Sequence, residues 1–392
     1  MRAIPKIPLL AKIVVAILLG IATANVIPLW AVQLSATFNG LFSQFLQFLI
    51  PLIIVGLVAP AIADIGQSAG KLLLITTLIA YTDTICAGLL SFATASIFFP
   101  HFISENVQTA LTEESLSVSP FFEIQIPPLL DVMTALVLAF LLGLGIANLG
   151  KKALKTVAEE FKDIIAGTIE VVVIPLLPLY IFGIFLTMAH TGQAWRVLSV
   201  FFSVICIIFL LHILLLLAQY VVTGFIVQRN PFVLLWNMLP AYFTALGTSS
   251  SAATIPVTLK QTEKNGVNPG IAGFTIPLCA TIHLSGSALK ITACAVALML
   301  MQGYDFTAQQ FLGFILMLGV IMVAAPGVPG GAIMAALGIL SSMLGFSQDD
   351  CALMIALYIT MDSFGTACNV TGDGAIALVV NKIAKSKKTE ES

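Results

Sequence analysis

Charged side chains are scarce in this sequence of 392 residues: only 9% are Asp, Glu, Lys or Arg, whereas 59% are hydrophobic. A soluble domain carries about a quarter charged residues, so the composition excludes an ordinary soluble enzyme and is typical of a polytopic membrane protein in contact with lipid. Basic residues form no run outside the C-terminal tail, where Lys382, Lys385, Lys387 and Lys388 fit a membrane-side anchor. No electrostatic surface for nucleic acid is therefore expected.

Paired cysteines are also lacking. The six cysteines are scattered singly, mostly in apolar runs, and none has CxxC spacing: Cys86, Cys206, Cys279, Cys294, Cys351 and Cys368. This distribution predicts neither a disulfide framework nor a zinc site. No motif for an organic cofactor is present, and none is expected to bind.

Long apolar runs occupy most of the chain. A membrane span needs about 20 apolar residues, and eight spans are predicted, at residues 7–25, 41–63, 72–99, 127–148, 164–188, 197–227, 271–301 and 352–380. The first run follows Arg2 and Lys6 but has no small-residue cleavage site, so it is interpreted as an uncleaved span. Two further apolar segments, residues 231–258 and 311–344, are too interrupted by Pro, Gly and Ser to be plain spans.

The distribution of basic residues predicts the orientation in the cell membrane. Four lysines lie in the loop after the fourth span, whereas the loop after the third span contains four glutamates and no Lys or Arg. The positive-inside rule then places both termini in the cytoplasm. With eight full spans, both interrupted segments must be re-entrant, and such irregular backbone is tolerated only where it lines a cavity or is buried in protein.

Polar groups inside the last apolar segment indicate a functional site. Asn369 and Asp373 lie four residues apart, which puts both side chains on one face of a helix, and an ionisable residue at membrane depth marks a functional site. Two re-entrant segments, each followed by one span, form an inverted-repeat pattern like those that bracket the solute site of many secondary transporters. The sequence therefore predicts a solute site at the bilayer midplane.

These motifs resemble those of the dicarboxylate/amino acid:cation symporter family, which includes the glutamate transporters. The serine-rich run at 249–258 matches the tip of a first hairpin, residues 327–331 match the tip of a second, residues 279–287 match a broken seventh helix, and the Asn-Val-Thr-Gly-Asp stretch at 369–373 matches the last helix. The resemblance implies an all-α fold of eight transmembrane helices and two re-entrant helical hairpins that works as an elevator-type transporter. It also implies a homotrimer, with scaffold segments at 1–70 and 101–192 and transport segments at 71–100 and 193–392.

The resemblance implies a substrate pocket between the hairpin tips. Asp362 would receive the amino group of the substrate, and Asn369 with Ser250 would hold its α-carboxylate. Gly365 stands where carriers of acidic substrates have an arginine, and Thr248 does not restore that cation, so a neutral substrate side chain is favoured. The other residues that the resemblance places in the pocket are Ser249, Ser251, Val328, Gly331 and Thr366.

The cation sites depart from the family pattern. Where the family has Asn-Met-Asp-Gly-Thr, this chain has His-Leu-Ser-Gly-Ser at 283–287, so one sodium site loses a carboxylate that a hard cation prefers. Asp373 and Asn369 keep ligands of a second site, and Thr281 keeps the position of a third. The candidate cation ligands are Asn369, Asp373, Thr281, His283, Ser285 and Asp83.

Two charges have no counterpart in the family pattern. Asp83 lies deep in the third span, and Lys290 lies two turns after His283. Because a buried ion without a partner is very costly, Asp83 is expected either to supply the missing anion of the cation site or to pair with Lys290. The alternative is that Lys290 extends to the interface and that Asp83 caps a kink.

The function expected from these features is transport rather than catalysis: cation-coupled symport of a small neutral amino acid, with Na⁺, H⁺ or both as the coupling ion. The alternative substrate is a dicarboxylate or an acidic amino acid. A channel and an intramembrane protease are hypotheses of other classes, but the stretch before Asp373 lacks the Gly-x-Gly-Asp pattern of the protease.

Overall fold

A computed structural model of the chain describes residues 9–67, 71–103, 118–149, 152–192, 194–325 and 329–390. This part of the chain is helical, without a β-strand. Its first half contains α1 (Leu9–Thr23), α2 (Leu29–Gln67), α3 (Lys71–Phe98), α4 (Val132–Leu149), α5 (Lys152–Thr168) and α6 (Ile174–His190), with a π-helical turn at Ile169–Val173 that joins the last two.

The second half contains shorter helices separated by breaks within apolar sequence. These helices are α7 (Ala194–Val227), α8 (Pro231–Thr248), α9 (Ser251–Lys264), α10 (Pro269–Ile282), α11 (Ser285–Gln302), α12 (Ala308–Ala324), α13 (Gly331–Leu344), α14 (Gln348–Thr360) and α15 (Asp362–Glu390).

Helix lengths and apolar composition are those of a multi-pass membrane protein. Five described helical stretches are long and apolar enough to cross a bilayer: Leu29–Ala63, Leu72–His101, Ala153–His190, Val197–Val227 and Pro269–Gln302. A sixth crossing results if the bent pair α14 and α15 forms one span. The predicted first and fourth spans correspond to the shorter helices α1 and α4, so a total of eight spans stays a prediction.

Large apolar side chains cover much of the outer surface of these helices. Phe225 is 80% exposed and Trp236 is 72% exposed. An exposed apolar surface of this extent would be unfavourable in water. Contact with lipid explains this exposure, since helices satisfy most of their backbone polar groups internally and can face the hydrocarbon.

The helices form two packed groups. The α2 helix packs against α4, α5 and α6, and α1 packs against α6. In the second group, α11 packs against α3, α7 and α15 and is buried along almost its whole length. This arrangement makes α11 the centre of a helical core, so the charged side chain that it carries, Lys290, needs a protein partner.

Helix pairs α8–α9 and α12–α13 are helical hairpins, because the two helices of each pair pack against each other. The first hairpin turns at Ser249 and Ser250, where Ser249 adopts a left-handed conformation with φ of 51°. In the second, Gly330 has φ of 76° and directly precedes α13. Both turns fall on the motifs that predict hairpin tips. The re-entrant character of the hairpins stays a prediction.

Candidate solute and cation site

Asp362 is the first residue of α15, where the chain bends by 62° from α14. Its side chain is 9% exposed and each carboxylate oxygen has a partner. Oδ1 accepts a hydrogen bond from Lys290 Nζ at 2.8 Å, and Oδ2 accepts one from the backbone N–H of Gly330 at 2.9 Å. A carboxylate at this point also benefits from the positive end of the helix dipole.

Both hairpin tips contact the first turn of α15. The Gly330 N–H of the second hairpin donates to Asp362, and Ser249 Oγ of the first hairpin lies 2.7 Å from Ser363 Oγ of α15. Ser250 is the N-cap of α9, since its Oγ accepts from the N–H of Ala253. The tips therefore meet at the broken last helix, and the helix N-termini there can attract an anionic group.

The side chain of Lys290 extends from α11 to the first turn of α15. Its side chain is fully buried, and its ammonium lies 3.5 Å from the centre of the Tyr358 ring, a cation–π contact. A Cβ atom on Gly365 would approach Lys290 Nζ to 2.7 Å. The absence of a side chain at residue 365 thus leaves room for an ammonium supplied by another helix.

The alternative in which Asp83 pairs with Lys290 is wrong, because Lys290 pairs with Asp362. The position of Lys290 on α11 explains why it does not contact Asp83. Lys290 lies two turns beyond His283, and its side chain extends towards α15 rather than towards α3. The alternative in which Lys290 extends to an interface is also wrong, since Lys290 is buried.

Asp83 instead belongs to a second cluster, centred on His283. The Nε2 atom of His283 lies 2.7 Å from Asp83 Oδ2, and its Nδ1 atom lies 2.8 Å from Asp373 Oδ1. A neutral imidazole would direct a lone pair at one of these carboxylate oxygens. The geometry therefore fits an imidazolium that donates to both carboxylates and carries a positive charge between them.

Gln219 completes this cluster. Its Nε2 donates to Asp83 Oδ2 at 2.6 Å and to Ser285 Oγ at 3.2 Å, and its Oε1 is buried with no hydrogen-bond partner among the described residues. Asp83 and Gln219 also line a cavity of about 600 Å³ whose other walls are mainly apolar. The Asp83 side of the cluster is thus partly open, with 22% of the side chain exposed, whereas Asp373 is 1% exposed.

Asn369 lies between the two clusters, where α15 crosses the N-terminus of α11. Its Oδ1 accepts from the Gly286 N–H at 2.8 Å, and its Nδ2 donates to Ser287 Oγ at 3.2 Å. Tyr358 also donates to Ser287 Oγ, at 3.0 Å. Asn369 therefore joins the start of α11, just after the break in the predicted seventh span, to the last helix.

The remaining candidates have simpler positions. Ser251 and Gly331 are buried first residues of α9 and α13, and the Thr366 hydroxyl donates to the backbone oxygen of Asp362. Thr281 is exposed and its hydroxyl donates to Leu278 O within its own helix, so it is separate from the hydrogen bonds of the His283 cluster. Val328 lies outside the described residues.

Sequence reasoning missed three residues of the site. Gln219, Tyr358 and Ser363 each contact a charged or hydroxyl side chain there. Gln219 was detectable, because a carboxamide in the strongly apolar helix α7 needs a buried partner. Tyr358 and Ser363 carry no comparable signal, since tyrosine and serine are ordinary near the ends of membrane helices.

Gly286 provides a test of the close crossing between α11 and α15. A Cβ atom there would lie 2.8 Å from both the Gly365 backbone oxygen and Cys368 Cβ, so Gly286→Ala should destabilise the protein by about 1–3 kcal/mol through overpacking. Gly273→Ala in α10 is the matched control, because nothing lies within 4 Å of its added Cβ. Unfolding of purified protein in detergent measures both, and equal stability of the two variants would contradict the close crossing.

Comparison with known proteins identifies the family of this chain. The model of the sodium:dicarboxylate symporter family matches residues 9–383. Excitatory amino acid transporter 1 of Ambystoma tigrinum is 30% identical over 294 residues, which cover 72% of this chain and 53% of the relative. Excitatory amino acid transporter 3 of Mus musculus is 28% identical, over 66% of this chain and 50% of the relative. The chain thus spans about half the length of these two relatives.

A bacterial relative matches from end to end. The serine/threonine transporter SstT of Acinetobacter baumannii strain AYE is 28% identical over 386 residues, which cover 94% of this chain and 95% of the relative. All three relatives are named as transporters and none as an enzyme. The resemblance found in the hairpin tips and the last helix is confirmed, and this multi-pass membrane protein belongs to the sodium:dicarboxylate symporter family.

Proposed function

We propose that the protein is a sodium-coupled symporter of a small neutral amino acid that works by alternating access. The observation that carries this proposal is the meeting of both hairpin tips at the first turn of α15, the second at the buried Asp362 carboxylate and the first at the neighbouring Ser363. A carboxylate at that position suits the ammonium group of an amino acid, and hairpin tips that can separate from it would give access from either side. The end-to-end match to a serine/threonine transporter supports a small hydroxylated or aliphatic substrate.

Transport by an elevator motion is part of this proposal. Helices α1, α2 and α4–α6 would form the scaffold, and α3 with α7–α15 would move across the membrane with the substrate. The packing of α11 against α3, α7 and α15 supports movement of these helices as a unit. Assembly as a homotrimer and cytoplasmic termini complete the proposal.

The coupling ion is proposed to be Na⁺, in fewer copies per substrate than in relatives with the unaltered Asn-Met-Asp-Gly-Thr motif. His283 supports this reduction, because its positive charge between Asp83 and Asp373 stands in for one cation. A sodium ion could still bind nearby, since the buried Gln219 Oε1 has no hydrogen-bond partner in the described part of the chain and is an oxygen of the kind that hard cations prefer.

Uptake into proteoliposomes tests the proposed function. A sodium gradient should drive saturable accumulation of radiolabelled L-serine, and an ionophore that collapses the gradient should abolish it. The reversal potential then counts the coupled sodium ions. Downhill flux that never accumulates serine would indicate a channel, and absence of serine uptake at any sodium gradient would reject the proposed substrate.

A second candidate substrate is an acidic amino acid or a dicarboxylate. The observation in its favour is the Lys290 ammonium, which lies beside Gly365 where carriers of acidic substrates have an arginine. This ammonium is already neutralised by Asp362, so it offers a weaker clamp for a side-chain carboxylate than an unpaired arginine would.

Selectivity separates the two candidates. We expect the wild-type protein to bind L-serine at least about tenfold more tightly than L-aspartate, L-glutamate or succinate, a difference of about 1.4 kcal/mol, because no unpaired cation remains for a second carboxylate. Competition against radiolabelled serine in detergent measures these affinities. Tighter binding of succinate, which has no amino group, would favour the second candidate.

A further inference from the structure

We propose that Lys290 is the residue that binds the substrate carboxylate, and that a zwitterionic amino acid inserts between the Lys290 ammonium and the Asp362 carboxylate. This inference rests on the amino acid transport proposed above. In the described state the two side chains are paired at 2.8 Å. Insertion would replace one internal ion pair by two pairs with the substrate.

Charge balance is the first argument. Lys290 is fully buried and the Asp362 side chain is 9% exposed, so an ion that lost its partner here would be strongly disfavoured. An amine without a carboxylate would pair with Asp362 and leave Lys290 alone, and an acid without an amine would leave Asp362 alone. A zwitterion satisfies both charges at once, so the pair selects α-amino acids over analogues that lack either group.

The hydrogen-bond capacity of Lys290 is the second argument. An ammonium has three donors. One points to Asp362, and the Tyr358 ring lies on another side at 3.5 Å from its centre. A donor therefore remains for an incoming carboxylate, and the missing side chain at Gly365 lets the ammonium lie directly against α15.

The engagement of the other candidate groups is the third argument. Asn369 uses its Oδ1 for the Gly286 N–H and its Nδ2 for Ser287. Ser250 Oγ accepts from the Ala253 N–H as the cap of α9. For a carboxylate these two side chains keep only neutral donors, the Ser250 hydroxyl and one N–H of Asn369, whereas the Lys290 ammonium would bind it through a charge-assisted hydrogen bond once the substrate amine takes over Asp362.

Three solutes that differ in one charged group at a time test this placement. L-Serine carries both groups, 3-hydroxypropionate lacks the amine, and ethanolamine lacks the carboxylate. We expect Lys290→Met to weaken 3-hydroxypropionate binding by about tenfold or more and to tighten ethanolamine binding, because Asp362 is freed. Asp362→Asn should do the reverse, tightening 3-hydroxypropionate and weakening ethanolamine.

Affinity changes of opposite sign for 3-hydroxypropionate and ethanolamine distinguish a carboxylate-binding role of Lys290 from a structural role. If Lys290→Met and Asp362→Asn weaken all three solutes alike, or if Lys290→Met leaves 3-hydroxypropionate binding unchanged, the proposal is rejected. Lys290→Arg should keep the wild-type order of the probes. If Lys290→Met does not fold, the Asp362→Asn arm still decides, because tighter 3-hydroxypropionate binding is expected there only if Lys290 receives carboxylates.

The wild-type protein separates this inference from the proposed function. Failure of the wild type to bind L-serine or any other neutral amino acid would reject the proposed function, while loss of 3-hydroxypropionate or succinate binding in Lys290→Met would still support Lys290 as the carboxylate partner. If the wild type binds serine but the two variants do not change the affinities for 3-hydroxypropionate and ethanolamine in opposite directions, the proposed function is supported and the proposed role of Lys290 is rejected.

Discussion

Asp362→Asn is expected to weaken L-serine binding by about 2–5 kcal/mol, the usual cost of removing one partner of a desolvated, hydrogen-bonded charge pair. Asparagine has nearly the same shape as aspartate but no charge, so it cannot neutralise the substrate ammonium or the buried Lys290. The contact from the Gly330 N–H can persist through the amide oxygen, which keeps the second hairpin in place. Isothermal titration calorimetry of purified protein measures the change.

Asp350→Asn is the matched control for this substitution. Asp350 is a buried aspartate like Asp362, but it lies in the capping box of α14, where it forms hydrogen bonds with Ser347 and Gln302. Its replacement should lower the unfolding temperature and leave the serine Kd unchanged. Serine affinity that responds equally to both substitutions, or to neither, would remove Asp362 from the substrate site.

His283→Leu is expected to destabilise the protein by about 3–5 kcal/mol, because it leaves two carboxylates facing each other without the cation between them. His212→Leu is the matched control. His212 is also a buried histidine, but it makes one hydrogen bond, to Gly286 O at 3.1 Å, and its Nδ1 has no partner among the described residues. Its replacement should cost about 1 kcal/mol. Chemical unfolding in detergent compares the two.

The effect of Asp373→Asn in each background makes this test sharper. In the wild type, Asp373→Asn removes a partner of the imidazolium and should destabilise the protein. In the His283→Leu background, the same change removes a stranded charge and should stabilise it, since interacting sites are not additive. Destabilisation by the same amount in both backgrounds would show that His283 and Asp373 are not coupled.

Much of the architecture was predictable from local sequence. Apolar runs near 20 residues long specify membrane helices because lipid cannot satisfy exposed backbone groups. Clusters of Ser, Gly and Pro predict the breaks seen at Ser249–Ser250 and Gly330, because these residues cap helices or accept left-handed backbone conformations. The number of spans stays a prediction, since the described parts of α1 and α4 are shorter than a plain crossing.

The partners of the buried charges were not predictable in this way. Sequence reasoning recognised that Asp83 and Lys290 each need a partner, and it allowed them to pair with each other. The structure pairs Lys290 with Asp362 and Asp83 with His283. Both alternatives satisfy the rule against unpaired buried ions, so the rule alone cannot choose between them.

Composition, run length and motif are local properties, so the sequence alone predicts a helical membrane protein, the segments that break, and a site at Asp362, Asn369 and Asp373. That the Lys290 ammonium fills the space beside Gly365, and that His283 stands between Asp83 and Asp373, is visible only in the folded protein. The physical reason is distance along the chain: residues from α3, α7, α11 and α15 meet there, and ion pairs and hydrogen bonds depend on a few ångströms of separation that helix packing sets.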